Sequence, residues 1–173
     1  MSTENEKYDP VIGVARNPVS QPEFDNELKN KHFVYRYDNG WDYEFYVPND
    51  QRIIYNISGG PMAGRRNFQT TYYQRIQKNL WQISWLEETG TIVSLVLDIN
   101  NKRVTTLIAF SQGHWENPEI AHGNKRDNLT KWRELSKIGI QTNRYMLTEQ
   151  ATIHNIYEGP GDLEEIHLEW PTF

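Results

Sequence analysis

The chain has 173 residues, 37% hydrophobic and 13% aromatic, with a formal net charge of −5 and no cysteine. A chain of this size and composition folds as one domain and buries roughly two thirds of its unfolded surface without disulfide or metal staples. The acidic balance disfavours a nucleic-acid partner, which needs a concentrated basic face, and the missing thiols exclude thiol nucleophiles and thiolate metal sites.

The N-terminal MSTENEKYDP lacks the positive start and apolar run of a signal peptide, and no stretch reaches the roughly 18 apolar residues of a membrane span, so a cytoplasmic location away from membranes is expected. Residues 1–30, polar and interrupted by Pro10, Pro18 and Pro22, read as an extension, and residues 31–173 as a single β-barrel domain. From residue 31, short runs rich in Tyr, Val, Ile, Thr and Trp alternate with Asp-Asn-Gly, Pro-Asn-Asp, Glu-Thr-Gly and Asn-Asn-Lys turns. They predict strands at 31–38, 41–48, 51–58, 68–77, 80–87, 91–99, 102–110 and 146–157. The fold class is therefore mainly β, an up-and-down antiparallel barrel of about eight strands with one or two flanking helices, the late strand removing exposed edges. Such a barrel has room for one small ligand. Between the seventh and eighth strands, Asn128 is the expected cap of a helix with Leu129, Trp132, Leu135 and Ile138 on one stripe and Gly139 near its end. The last segment, EGPGDLEEIHLEWPTF, is expected to add a short edge strand.

Strand alternation places Phe33, Tyr35 and Tyr37 on one face, and Trp41, Tyr43 and Phe45 on one face of the next strand. A buried tyrosine hydroxyl needs a partner, so these rings are either ordinary packing with hydroxyls at the rim or the wall of a ligand site. Tyr55 and Ile57 share a face, as do Ile83, Trp85 and Glu87, and Thr91, Val93 and Leu95 form a further stripe. A glutamate in phase with apolar partners is rare unless paired or functional, whereas its neighbour Glu88 is expected to be solvated. SGGPMAGRRNF offers close backbone approach and two guanidinium forks, but no phosphate-cradling motif; an arginine here could hold a carboxylate. His114 and His122, with Glu116 and Glu119 between them, match no ligand spacing, so no metal is expected. There is no nucleophile elbow for serine catalysis.

YRYDNGWDYEFYV, IIYNISGGPMAGRRNFQ, WQISWLEETGTIVSLV and TTLIAFSQGHWENPEIAHG together resemble the phenolic acid decarboxylase family over roughly residues 31–155. The resemblance implies a lipocalin-like barrel, a homodimer, and cofactor-free conversion of 4-hydroxycinnamic acids such as p-coumaric, ferulic and caffeic acid to 4-vinylphenols and carbon dioxide. Carried over by position, it implies that Tyr35 and Tyr37 bind one polar end of the substrate with Tyr43 beside them, that Arg65 is the functional arginine and that Glu87 is the essential glutamate. Tyr55, Ile57, Met62, Trp85, Thr91, Val93 and Ile108 would form the pocket wall. Glu88 stands where the bacterial branch has a proline, Ile92 where it has an aspartate, Gly59-Gly60-Pro61 where it has another small-residue run, and Gly113-His114-Trp115 where its tryptophan is placed differently. This last segment looks closer to the fungal branch.

In the implied reaction, acceptors or ionised tyrosines draw the phenolic proton away while Glu87 protonates the carbon next to the carboxylate. A quinone methide then forms and loses carbon dioxide. Glu87 would need a pKa raised by roughly two to three units to be protonated near neutrality. Two rivals share the same residues: a barrel that binds small phenolics without transforming them, and an acid–base isomerase, hydratase or cyclase acting on a related conjugated substrate.

Overall fold

The computed structural model describes residues 21–173. The expected extension lies mostly outside the described residues. Its last part forms α1 (Phe24–Glu27), which buries Phe24 against the edges of Tyr73 and Trp81. Glu27 fastens it, accepting from Trp81 Nε1 at 2.7 Å, Arg75 Nη2 at 2.9 Å and the Asn79 amide at 2.9 Å.

The chain then runs β1 (Lys31–Tyr37), β2 (Asp42–Asn49), β3 (Arg52–Ile57), β4 (Arg65–Thr70), β5 (Tyr72–Gln77), β6 (Leu80–Leu86), β7 (Ile92–Asp98) and β8 (Arg103–Ser111). There follow α2 (Gln112–Glu116), a 3-10 turn (Pro118–Ala121), β9 (Gly123–Asn124), α3 (Lys125–Leu135) and β10 (Arg144–Glu158). Hydrogen bonds link the strands in the order β5-β6-β7-β8-β10-β1-β2-β3-β4-β9, antiparallel except for β4 with β9. The late strand bridges β8 and β1 as expected, and the fold is mainly β, of the lipocalin-like barrel type. The ladder itself does not close: β5 begins the order and β4, with β9 on its edge, ends it. Inward positions alternate along β2, β6 and β7. Phe33, Tyr35, Phe45, Ile83, Leu95 and Val104 are all buried in one core. No helix among the described residues is long and apolar enough to cross a membrane.

Several expectations change. The predicted strand at 68–77 is two strands separated by Thr71, and the first begins at Arg65. Its inward side chains, Arg65, Asn67 and Gln69, are polar while outward Phe68 is apolar, which inverts the usual signal. Phe68 is covered by the C-terminal segment, where Leu163, Ile166 and Trp170 pack on it and Ile54. That segment is not an edge strand, because β9 already takes the edge of β4. The helix cap is Asn124, whose side chain accepts from the Arg126 amide at 2.9 Å, and not Asn128, which lies inside α3. The helix ends at Leu135, so Ile138 lies beyond it and is 40% exposed. α2, capped by Ser111, had no periodic signal.

Candidate active site

The β1–β2 hairpin builds one wall. Gly40 adopts φ 94° and donates to the Tyr37 carbonyl at 2.8 Å, closing the turn that sets Tyr35 opposite Tyr43 and Phe33 opposite Phe45. Ring centroids lie 5.4 Å apart for Tyr35–Tyr37 and 5.0 Å for Tyr37–Tyr43, both edge-on. The Tyr37 hydroxyl bonds Thr106 Oγ1 at 2.9 Å. Burial pushes the hydroxyl pKa of Tyr35 and Tyr43 well up and that of Tyr37 up, so all three remain protonated and act as neutral hydrogen-bonding groups. Of the two sequence-based alternatives, ionised tyrosine is thus the one the protein alone disfavours.

Glu87 follows β6, in phase with Ile83 and Trp85, and is 4% exposed. Its Oε2 accepts from Arg65 Nη2 at 3.0 Å, and its Oε1 from Trp85 Nε1 at 3.2 Å and from the Tyr55 hydroxyl. Tyr55 in turn accepts from Asn67 Nδ2 at 2.8 Å. Arg65 is fully enclosed, donating to the Ala121 carbonyl at 2.7 Å with its guanidinium 3.8 Å over the Trp132 ring of α3. His114 Nδ1 lies 3.9 Å from Glu87 Oε2. Burial works to raise the Glu87 pKa, but Arg65, then His114 and the donors from Tyr55 and Trp85, outweigh it and hold the carboxyl below its usual range. The expected elevation is therefore reversed in the protein alone: Arg65 faces Glu87 directly.

One cavity of about 480 Å³, counted with its opening, joins these two regions. Every residue to which the resemblance assigned a place in the site lines it: Tyr35, Tyr37, Tyr43, Tyr55, Ile57, Met62, Arg65, Trp85, Glu87, Thr91, Val93 and Ile108. Phe45, Phe110 and His114 complete the lining. Alternation had already set Phe45 in phase with Tyr43, and along β8 it would have found Phe110, in phase with Ile108. His114 sits on α2, which no pattern announced. Arg66 is exposed and takes no part. Among the described residues no group of three or more His, Asp or Glu side chains is arranged to hold a metal ion.

Glu88 corrects an expectation. It is fully buried, with Oε1 2.9 Å from Lys125 Nζ and Oε2 accepting from Arg133 Nε at 2.7 Å. Alternation correctly turns it away from Glu87, but α3 covers that outer face. Burial lowers the Lys125 pKa to about 8 despite Glu88 beside it.

A family model described as Phenolic acid decarboxylase (PAD) matches residues 26–169. The chain belongs to the phenolic acid decarboxylase family. One family relative, Phenolic acid decarboxylase PadC of Bacillus subtilis (strain 168), is 34% identical over 136 residues, covering 78% of this chain and 84% of its own. Another, named "Probable phenolic acid decarboxylase", from Vibrio cholerae serotype O1, is 36% identical over 100 residues, covering 57% of this chain and 58% of its own. A solved structure from Burkholderia vietnamiensis, named a "putative beta-lactamase", superposes with TM-score 0.51 at 16% identity over 79% of this chain and 98% of that one. This likeness concerns the fold alone.

Proposed function

We propose that the protein decarboxylates 4-hydroxycinnamic acids, p-coumaric, ferulic and caffeic acid among them, to 4-vinylphenols and carbon dioxide, without a cofactor and through a quinone methide. Family membership and one observation carry this reading: a buried carboxyl, Glu87, borders a cavity whose wall supplies tyrosine hydroxyls and a guanidinium. Direct loss of carbon dioxide from an alkenyl carboxylate would leave a vinyl carbanion with nowhere to delocalise. The para-hydroxyl removes that obstacle. As its proton is drawn off, the ring pushes electrons to the side-chain carbon beside the carboxylate, which takes a proton from Glu87. The C–CO2 bond then breaks, its electron pair restores the aromatic ring as a phenolate, the phenolate takes back the proton drawn from it, and solvent returns a proton to Glu87 for the next turnover.

Glu87 must carry a proton at that moment, although Arg65 keeps it charged in the protein alone. An anionic acid entering beside Arg65 divides the guanidinium's field between two carboxylates and adds like charge; both effects raise the Glu87 pKa. The alkaline limb of the kcat profile, which reports the complex, is accordingly expected at higher pH than the titration of Glu87 in the free enzyme.

The deciding assay incubates the protein with p-coumarate, ferulate, caffeate and plain cinnamate, following loss of cinnamate absorbance and appearance of vinylphenol. Turnover of the hydroxylated acids and none of cinnamate is the expected result. Binding without product would leave a passive phenolic-binding barrel, and a product still carrying its carboxylate would leave an isomerase or hydratase. Tyr35→Phe and Tyr37→Phe are each expected to lower kcat/KM roughly tenfold or more with the fold retained, as loss of one substrate hydrogen bond requires. Wild-type turnover by both variants would remove the tyrosines from the site.

A homodimer belongs to the same reading. Ile92, Ala109 and Met146 are aligned across β7, β8 and β10 on the outer face, and Ile92 and Met146 are 48% and 55% exposed, with Leu107 at 43% one row away. Light scattering is expected to give twice the chain mass for the wild type and a shift toward monomer for Met146→Lys; a monomeric wild type would reject this surface. Cytoplasmic residence also belongs to this reading, since a cysteine-free chain acting on a small free acid suits a reducing compartment. Affinity with the fungal branch rests on Gly113-His114-Trp115 alone, and the two relatives above are bacterial.

A further inference from the structure

His114 is a polar cavity-lining side chain to which the proposed chemistry gives no role. We infer that it presents its Nε2–H to the cavity as a hydrogen-bond donor and binds an oxygen of the phenolic acid held there. This rests on the functional reading above for the class of ligand, and on three geometric observations for the donor.

The ring is held from behind. Ser111 caps α2 by accepting from the His114 amide at 3.3 Å, and Phe110 meets the imidazole edge-on at 5.1 Å. Gly113 lies so close to α3 that a Cβ there would stand 2.0 Å from the Leu135 carbonyl oxygen, so α2 is pressed against α3 with His114 on its buried side.

The tautomer follows from the hydroxyls around Nδ1. Thr91 Oγ1 lies 2.8 Å and Thr89 Oγ1 2.9 Å from it. Thr91 Oγ1 already accepts from the Ser111 amide at 3.1 Å, so its own hydrogen has to be donated elsewhere. Among the described residues neither threonine hydroxyl has another acceptor. A proton on Nδ1 would strand both buried hydroxyl hydrogens. With the proton on Nε2, Nδ1 accepts from one of them, which leaves one hydroxyl hydrogen without an acceptor in place of two. The imidazole is uncharged, its pKa lowered to about 3 by burial and then by Arg65, with Glu87 opposing and His122 adding to the lowering. One proton therefore has to be placed, on one nitrogen.

Nε2 is buried and has no hydrogen-bond partner among the described residues. A buried N–H left unpaired costs about 1–3 kcal/mol, and an oxygen acceptor on a ligand in this cavity is positioned to relieve it. The ring lies beside the Glu87 carboxyl, with Nδ1 3.9 Å from Oε2, so a ligand bound to it would be held close to where the proton is delivered.

The test uses full-length protein labelled with 15N-histidine, its His114 resonances assigned by comparison with His114→Gln. The probe is 3-(4-hydroxyphenyl)propionate, a saturated analogue with no alkene to protonate. Near neutral pH the free protein is expected to show His114 protonated on Nε2 only, with that proton moving downfield when the analogue binds. His114→Leu is expected to weaken analogue binding about 3- to 10-fold, the worth of one hydrogen bond between uncharged groups. His114→Gln, which places an amide N–H near the Nε2 position, is expected to recover most of it. An Nδ1–H tautomer, an Nε2–H signal indifferent to bound analogue, or equal affinity in the Leu and Gln variants would overturn the inference. The wild-type spectra decide it even where His114→Leu fails to fold. A wild type that binds the analogue yet does not decarboxylate p-coumarate overturns the functional reading only; one that binds no phenolic acid overturns both.

Discussion

Glu87→Gln is expected to cut carbon dioxide release from p-coumarate by at least about 10²- to 10⁴-fold, the range for loss of a general acid, while the substrate still binds. Glutamine keeps the shape of the side chain, and its amide oxygen can still accept from Tyr55 and Trp85, while the amide nitrogen gives up only the acceptor that faced Arg65. What it lacks is a proton acidic enough to transfer to carbon. The variant therefore separates binding from chemistry: Kd from analogue titration should stay within a few-fold of wild type as kcat collapses. Glu87→Ala should likewise bind without releasing carbon dioxide. Undiminished turnover in either variant would mean that the proton comes from another group, and the role assigned to Glu87 would have to be given up.

Arg65→Met should produce the largest loss of stability. Both partners of the Arg65–Glu87 pair are almost fully enclosed, at 1% and 6% side-chain exposure, so removing the guanidinium strands a buried carboxylate. Breaking such a pair costs about 3–5 kcal/mol at neutral pH. The sign of the pH dependence is distinctive. In the wild type the folded-state pKa of Glu87 is depressed, so its contribution to stability is complete above the unfolded pKa and is lost as pH falls through the folded one. In Arg65→Met, burial is left without its main opponent and raises the pKa, so the variant's penalty is largest near neutrality and shrinks on acidification as Glu87 takes up a proton. Urea melts of both proteins at neutral pH and near pH ~4 should show the gap closing. A gap that is constant with pH would show that Arg65 acts through packing on Trp132 and not through the charge of Glu87.

Much of the site was legible because a strand reports its faces locally. Tyr35 with Tyr37, Tyr55 with Ile57, Trp85 with Glu87 and Thr91 with Val93 share faces by alternation alone, and all of them line the cavity. β4 was misread at its start because its inward face carries Arg65, Asn67 and Gln69, a polar interior that no hydrophobic pattern signals. Glu88 was misread for the complementary reason. Alternation says which side of a sheet a residue occupies and nothing about what later covers that side; here α3 brings Lys125 and Arg133 onto it from about 40 residues downstream.

By itself the sequence determined which side chains share the inner face, where the hairpins turn and which family the chain resembles, since side-chain alternation and turn chemistry depend only on neighbours along the chain. The charge of Glu87, the burial of Glu88 and the proton position on His114 were decided only when the sheet curled and the α2–α3 segment packed on it. Each depends on Coulomb fields and desolvation from groups distant in sequence: Arg65 for Glu87, α3 for Glu88, and Thr89 and Thr91 for His114.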